Sequence, residues 1–254
     1  MTETGIALVT GAGLRIGRAI ALDLADHGWA VAVHYHRSAE AATAVVEEIR
    51  QAGGIAKALA ADLSDEAATA GLVPQCVATL GAPTLLVNNA SVFENDRLDS
   101  ATRDSWDAHL NVNLRAPLVL AQSFMATLAD GAEGNVINLL DQQVLNPGAG
   151  FLSYTVSKVG LWTLTRTLAL ELAPTVRVNG IGPGPALPSK RQSDDQFAAA
   201  CARLPLGRGT TPEEICRALR FILESPAMTG QMIALDGGEH LISPPPPRAG
   251  GGAA

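Results

Sequence analysis

The chain has 254 residues, 47% of them apolar and 17% charged, enough to fill one large core. Lys and Arg total 18 against 25 Asp and Glu, a formal charge of −7, which argues against the concentrated positive footprint that a nucleic-acid backbone requires. No apolar run reaches the roughly 18 to 20 residues of a bilayer span, and Cys76, Cys201 and Cys216 are too few and scattered for a disulfide framework or a cysteine-rich zinc site. Met1-Thr2-Glu3-Thr4 has neither the basic start nor the apolar stretch of a signal peptide, so a cytoplasmic protein is expected.

Short β-branched and aliphatic runs alternate with Ala-rich stretches of helical period. The first strand reads from Ile6 to Val9 and the first helix over 15–27, where Ile16, Ile20 and Leu24 recur at i, i+4 and i+8 as one buried stripe. Strands Ala30 to His34, Ile55 to Ala60, Thr84 to Val87 and Asn135 to Leu139 are followed by helices over 39–52, 65–80, 100–128 and 151–173. Val176 to Asn179, a helix over 212–224 and a strand from Met232 to Leu235 complete the order. Such alternation predicts right-handed crossovers and a parallel sheet covered on both faces. Between Asn179 and the last helix, residues 183–200 carry Pro183, Pro185 and Pro188 and read as a long loop with a short helix, a candidate lid. No linker divides residues 1–243, and the Pro/Gly-rich tail 244–254 is expected to be disordered.

The first strand runs into Thr10-Gly11-Ala12-Gly13-Leu14-Arg15-Ile16-Gly17 and a helix. Glycines there let the backbone approach a pyrophosphate held at the positive end of that helix. After the second strand, an acidic residue would hold the ribose 2′-hydroxyl of NAD. This chain instead reads His34-Tyr35-His36-Arg37-Ser38, whose guanidinium and hydroxyl suit a 2′-phosphate and predict NADPH. His34 and His36 share a strand face, but no third ligand stands near, so no metal is expected. Asp62-Leu63 is placed to border the adenine, and Asn88-Asn89-Ala90 lies at the same carboxyl edge.

Tyr154 and Lys158 stand four residues apart on one helix face. An ammonium beside a phenol favours the phenolate and is expected to lower the phenol pKa. With Asn113, Arg177-Val178-Asn179, Pro183-Gly184 and Leu235-Asp236-Gly237-Gly238 in order behind the glycine turn, the sequence from about Ile6 to Leu241 resembles the short-chain dehydrogenase/reductase family. The resemblance implies one Rossmann-like, doubly wound α/β domain and a nicotinamide reductase. Tyr154 would be the proton donor, Lys158 would bind the coenzyme ribose, and Asn113 would hold a water in the proton relay. Coenzyme contacts would come from Gly11, Arg15 and Ile16, then His36, Arg37 and Ser38. Asp62, Leu63, Asn89, Ala90, Pro183 and Gly184 would complete that set, with Tyr154 and Lys158.

Two departures narrow the reading. Arg15 replaces a glycine usual in the family, and Asp141 replaces the serine that polarises a substrate carbonyl. An ionised carboxylate only accepts hydrogen bonds, so it suits N–H donors or a ring nitrogen awaiting a proton, and pterins offer both. These features, with Asn89-Ala90-Ser91 and Phe93, resemble the pteridine and dihydromonapterin reductase branch. That branch implies a substrate site of Arg15, Ser91, Phe93, Asp141 and Tyr154. Phe93 would stack on the pterin opposite the nicotinamide, and the protein would be a homotetramer. A carbonyl reductase of another substrate and a non-catalytic NADPH-binding regulator are the alternatives.

Overall fold

The computed structural model describes residues 5–189 and 192–242; the tail expected to be disordered lies outside them. Seven parallel strands form one sheet: β1 (Ile6–Val9), β2 (Ala30–Tyr35), β3 (Ala56–Ala60), β4 (Leu85–Asn88), β5 (Gly134–Leu139), β6 (Val176–Pro183) and β7 (Met232–Leu235). Their order is β3-β2-β1-β4-β5-β6-β7, so the winding direction switches between β1 and β4. This is the Rossmann-like α/β architecture. The central strand β4 is buried throughout, and Leu8, Leu86 and Val136 pack on one face of the sheet while Val9, Val87 and Ile137 pack on the other. Burial on both faces explains why these strands read as continuous apolar runs.

The crossovers are α1 (Arg15–Asp26), α2 (Ala39–Gln51), α3 (Glu66–Thr79), α4 (Arg103–Leu110), α5 (Ala116–Thr127) and α6 (Leu152–Glu171). They are followed by α7 (Asp194–Cys201) and α8 (Pro212–Leu223). Ile20 and Leu24 of α1 are buried against the sheet, as the periodicity predicts. Helix α8 starts where Thr211 accepts the Glu214 amide in a capping box, with Pro212 at the first turn where its missing N–H does no harm. No helix among the described residues is long and apolar enough to cross a membrane.

Two elements depart from the sequence expectation. The strand expected to end at Asn179 continues to Pro183, because it pairs with β7 from Gly180 to Pro183 on one side. The single helix expected over 100–128 is instead α4, a wider π turn over Asn111–Arg115, and α5. Pro117 supplies the reason. It has no N–H to give the carbonyl of Asn113, so the hydrogen bond at this point runs from the Ala116 amide to Asn111 O, five residues back. The widened turn carries Asn113 at its centre, buried beside α6.

Candidate active site

The carboxyl ends of β1, β2 and β3 build the first half of the site. Gly11 takes φ +62°, and a Cβ there would stand 3.1 Å from the Ala90 backbone. At Gly17 a Cβ would fall 2.3 Å from the Gly11 carbonyl, so the start of α1 presses directly on the turn. Helix α1 has no side-chain cap at Leu14, so no side chain there competes for the amides of its first turn. Asn89 braces this turn through Nδ2, which donates to Thr10 O at 2.8 Å and Gly11 O at 3.2 Å, while the amides of Asn89 and Ala90 donate to Thr10 Oγ1. The close approach, the uncapped start of α1 and the basic residues beyond β2 together fit a dinucleotide phosphate.

His34 serves this turn in a way the sequence did not reveal. It is buried, its Nδ1 accepts the Gly11 amide at 3.0 Å, and its Nε2 faces Ala61 O at 3.1 Å. Burial lowers its pKa to about 4, with the Ala61 bond opposing, so the ring stays neutral and able to accept. Next to it, His36 is exposed and sits 3.4 Å from Asp62. No cluster fit for a metal occurs among the described residues. Arg37 is exposed, and Ser38 opens α2 with its hydroxyl beside Gly13. The hydroxyl and amide of Ser64 hold the Asp62 carboxyl below the usual range. Leu63 turns its side chain into the core, which leaves its backbone for any coenzyme contact. Ile16 also packs against the core. At the far side, Pro183 ends β6 and the Gly184 amide donates to Leu235 O.

Arg15 stands at φ +55°, a left-handed conformation that explains why a glycine is usual there. Its guanidinium donates to Pro188 O at 2.9 Å and Leu187 O at 3.3 Å. It therefore clasps the loop after β6 to the glycine turn.

The second half gathers around Tyr154. Asp141 follows β5, and its Oδ1 accepts the Gln143 amide at 2.9 Å, which fixes the carboxyl. The Tyr154 hydroxyl donates to Asp141 Oδ2 at 2.7 Å. Phe93 meets the Tyr154 ring edge-on with centroids 4.7 Å apart. Asn113 clamps the Phe93 loop: Oδ1 accepts the Val92 amide at 2.8 Å, and Nδ2 donates to Val92 O and to Ser157 Oγ. Ser91 is exposed, its hydroxyl near Val92 O. Phe151, which the sequence reading missed, stacks parallel on Phe93 at 4.6 Å. Its position three residues before Tyr154 was the available signal.

Electrostatics correct one expectation. The Tyr154 pKa is raised well above the ordinary value rather than lowered, first by burial and then by the negative charge and hydrogen bond of Asp141. Lys158 points elsewhere: its Nζ donates to Leu139 O at 2.7 Å and lies 5.8 Å from the Tyr154 ring centroid. Burial brings Lys158 down to about 8, with Asp141 opposing. Burial also pushes the Asp141 carboxyl up, against its bonds from Tyr154 and Gln143. A buried acid with a raised pKa holds a proton further towards neutrality than a free aspartate. Nearby, burial and then Asp141 raise Glu239.

A short chain dehydrogenase family model matches residues 5–197. The chain belongs to the short-chain dehydrogenase family. It is 33% identical over 248 residues to 3-oxoacyl-[acyl-carrier-protein] reductase FabG of Staphylococcus aureus, covering 95% of this chain and 100% of that one. Among solved structures, FolM alternative dihydrofolate reductase 1 of Brucella canis, complexed with NADP, is 43% identical with a TM-score of 0.93, covering 98% and 99% of the two chains. The Brucella suis protein, also with NADP, is 44% identical with a TM-score of 0.93, covering 97% and 99%.

Proposed function

We propose that the protein is an NADPH-dependent reductase of dihydropterins. The observation that carries this reading is the 2.7 Å hydrogen bond from Tyr154 to Asp141, beside the exposed side chain of Phe93, whose ring stacks on Phe151. A simple ketone needs two donors at its oxygen, whereas a pterin offers a ring nitrogen to protonate and N–H groups to a carboxylate. The likeness to two FolM alternative dihydrofolate reductases bound to NADP supports the same reading.

NADPH, when bound, supplies the hydride for the C=N carbon. Gly11 and the first turn of α1 would hold its pyrophosphate, with Arg15 and Ile16 beside it. Arg37 and Ser38 would hold its 2′-phosphate, with His36 and Asp62 flanking the adenosine. Lys158 would hold the nicotinamide ribose. The proton for the adjacent nitrogen comes from the Tyr154–Asp141 pair, where burial keeps the acid protonated further towards neutrality. Phe93 presents a π-face to the heterocycle, and Ser91 and Arg15 lie at its edges. Orientation supplies much of the rate, because the reacting atoms must be held about 3 to 3.5 Å apart.

Mixing the protein with NADPH and dihydrobiopterin or dihydromonapterin tests the reading by loss of the coenzyme's near-ultraviolet absorbance. No loss with either pterin, alongside turnover of 3-oxoacyl thioesters, favours the carbonyl-reductase reading that the FabG likeness supports. Binding without any turnover favours a regulator. The homotetramer implied by family resemblance is proposed as well. An apolar groove lined by Leu110, Leu114, Leu118 and Leu164 runs between the π-turn region and α6 and offers a face for a second copy. Light scattering at the mass of one chain overturns that part.

A further inference from the structure

The loop that carries Phe93 and the helix that carries Tyr154 are joined by a buried polar chain away from the reacting groups. Phe151 caps α6 without a side-chain bond of its own, and the first amides of the helix turn to residues 95 and 96 instead. The Phe151 amide donates to Asn95 Oδ1 at 3.1 Å, Leu152 to Asp96 O at 3.1 Å, and Ser153 to Asp96 Oδ1 at 3.0 Å. Asp96 therefore caps the catalytic helix from another segment. It is 3% exposed. Burial works to raise its carboxyl, but the hydrogen bonds from Ser153 and Ser105 outweigh burial and hold it below the usual range.

An ionised carboxylate can only accept, so the direction of the chain is fixed. The Ser153 hydroxyl donates to Asp96 Oδ2 at 2.5 Å. Its oxygen then accepts from His109 Nδ1, 2.7 Å away. His109 is fully buried. With its proton on Nδ1, its Nε2 is left to accept the backbone amide of Glu94 at 3.1 Å. Nδ1 also lies 2.9 Å from Ser105 O, a carbonyl that can only accept, so that carbonyl and the Ser153 hydroxyl tied to Asp96 together fix the tautomer of a histidine that holds the backbone next to Phe93.

We propose that His109 is a positioning residue which, oriented by Ser105 O and by Ser153 on Asp96, sets where Phe93 stands relative to Tyr154. The proposal rests on the dihydropterin reading for the identity of the ring alone. His109→Asn retains a donor in place of Nδ1 and loses the acceptor at Nε2; His109→Gln does the reverse. With NADPH saturating and dihydrobiopterin varied, His109→Asn is expected to raise KM for the pterin about three- to tenfold while kcat stays within about twofold. His109→Gln is expected to keep KM within about twofold of the original protein. An unchanged KM in His109→Asn, or an equal rise in both variants, overturns the proposal.

Amide hydrogen exchange separates this from the substrate question. Residues 92–96 are expected to exchange faster in His109→Asn than in His109→Gln, and equal exchange in the two overturns the proposal. If the unmodified protein reduces no dihydropterin, the functional reading fails while the exchange pattern still decides the positioning role. Should a His109 variant not fold, His109→Phe, which keeps a buried ring but has no acceptor for the Glu94 amide, takes its place. Faster exchange of the Glu94 amide is then expected, and unchanged exchange there refutes the positioning role.

Discussion

Replacing Arg15 with glycine and, separately, with alanine isolates the energy held at one backbone angle. Arg15 is at φ +55°, where a residue with a Cβ pays about 1 to 2 kcal/mol. Both replacements lose the guanidinium bonds to Pro188 and Leu187, which at an exposed site are worth about 1 kcal/mol together. Alanine keeps the strained angle, so Arg15→Ala should be destabilised by about 1 kcal/mol. Glycine removes the strain but adds about 0.5 to 1 kcal/mol of backbone entropy in the unfolded chain, so Arg15→Gly should lie near the original stability. The order is the reverse of the usual helical preference, in which alanine exceeds glycine by about 1 kcal/mol. Urea unfolding followed by circular dichroism reads the difference, and in thermal melts it amounts to about 2 to 4 °C for a chain of this size. An alanine variant as stable as the glycine variant would refute the argument. The freed loop gives a second readout: Arg15→Gly should raise KM for a dihydropterin more than it weakens NADPH binding.

Other outcomes are expected from the same geometry. Tyr154→Phe should cut dihydropterin reduction by about 10² to 10⁴ while NADPH binding, followed by coenzyme fluorescence, is nearly kept; retained turnover removes Tyr154 as the proton donor. Arg37→Asp should weaken NADPH far more than NADH in parallel titrations, because it removes a 2′-phosphate partner and adds a like charge; equal losses contradict the NADPH assignment. Lys158, brought to about 8 by burial, loses its charge as pH rises through that value, so activity should fall there. In Lys158→Arg, whose guanidinium does not titrate in this range, the alkaline fall should move upward. His34 is at about 4 in the folded protein against 6.5 when exposed, so between those values the unfolded chain binds the extra proton. Stability should therefore decline as pH drops from 6.5 to 4, by about 3 kcal/mol from this group. His34→Asn, which keeps an acceptor for Gly11, should flatten that decline in pH-dependent denaturation; an undiminished decline assigns the effect elsewhere.

The fold was legible because each strand is buried on both faces and each crossover helix keeps an apolar stripe, so periodicity and burial agree. Ile20 and Leu24 illustrate the helices, Leu86 and Val87 the strands. Pro117, interior to the stretch 100–128, signals an interruption of that helix but not its form; the wide turn shows only in the structure, where Asn113 reaches Val92 and Ser157 at once. At the site, the convergence of Asp141 with Tyr154 followed from motif spacing, but the rise in the phenol pKa did not. Spacing places Lys158 on the same helix face; it is the fold that sends its ammonium to Leu139 O and leaves a carboxyl against the phenol. His34 and His109 escaped for a related reason. Each is a buried histidine whose task is to accept a single backbone amide, and nothing local in the sequence identifies the amide 23 residues back or 15 residues back.

The reversal of winding between β1 and β4 divides labour along the sheet edge. Groups assigned to the reductant come mostly from one flank, and those assigned to what is reduced come mostly from the other. Mutation can therefore exchange one preference while leaving its counterpart untouched, since separate crossovers carry them. Arg15 spans the two, rooted in the reductant flank and fastened to the opposite one, so drift at that residue would be felt on both sides of the divide.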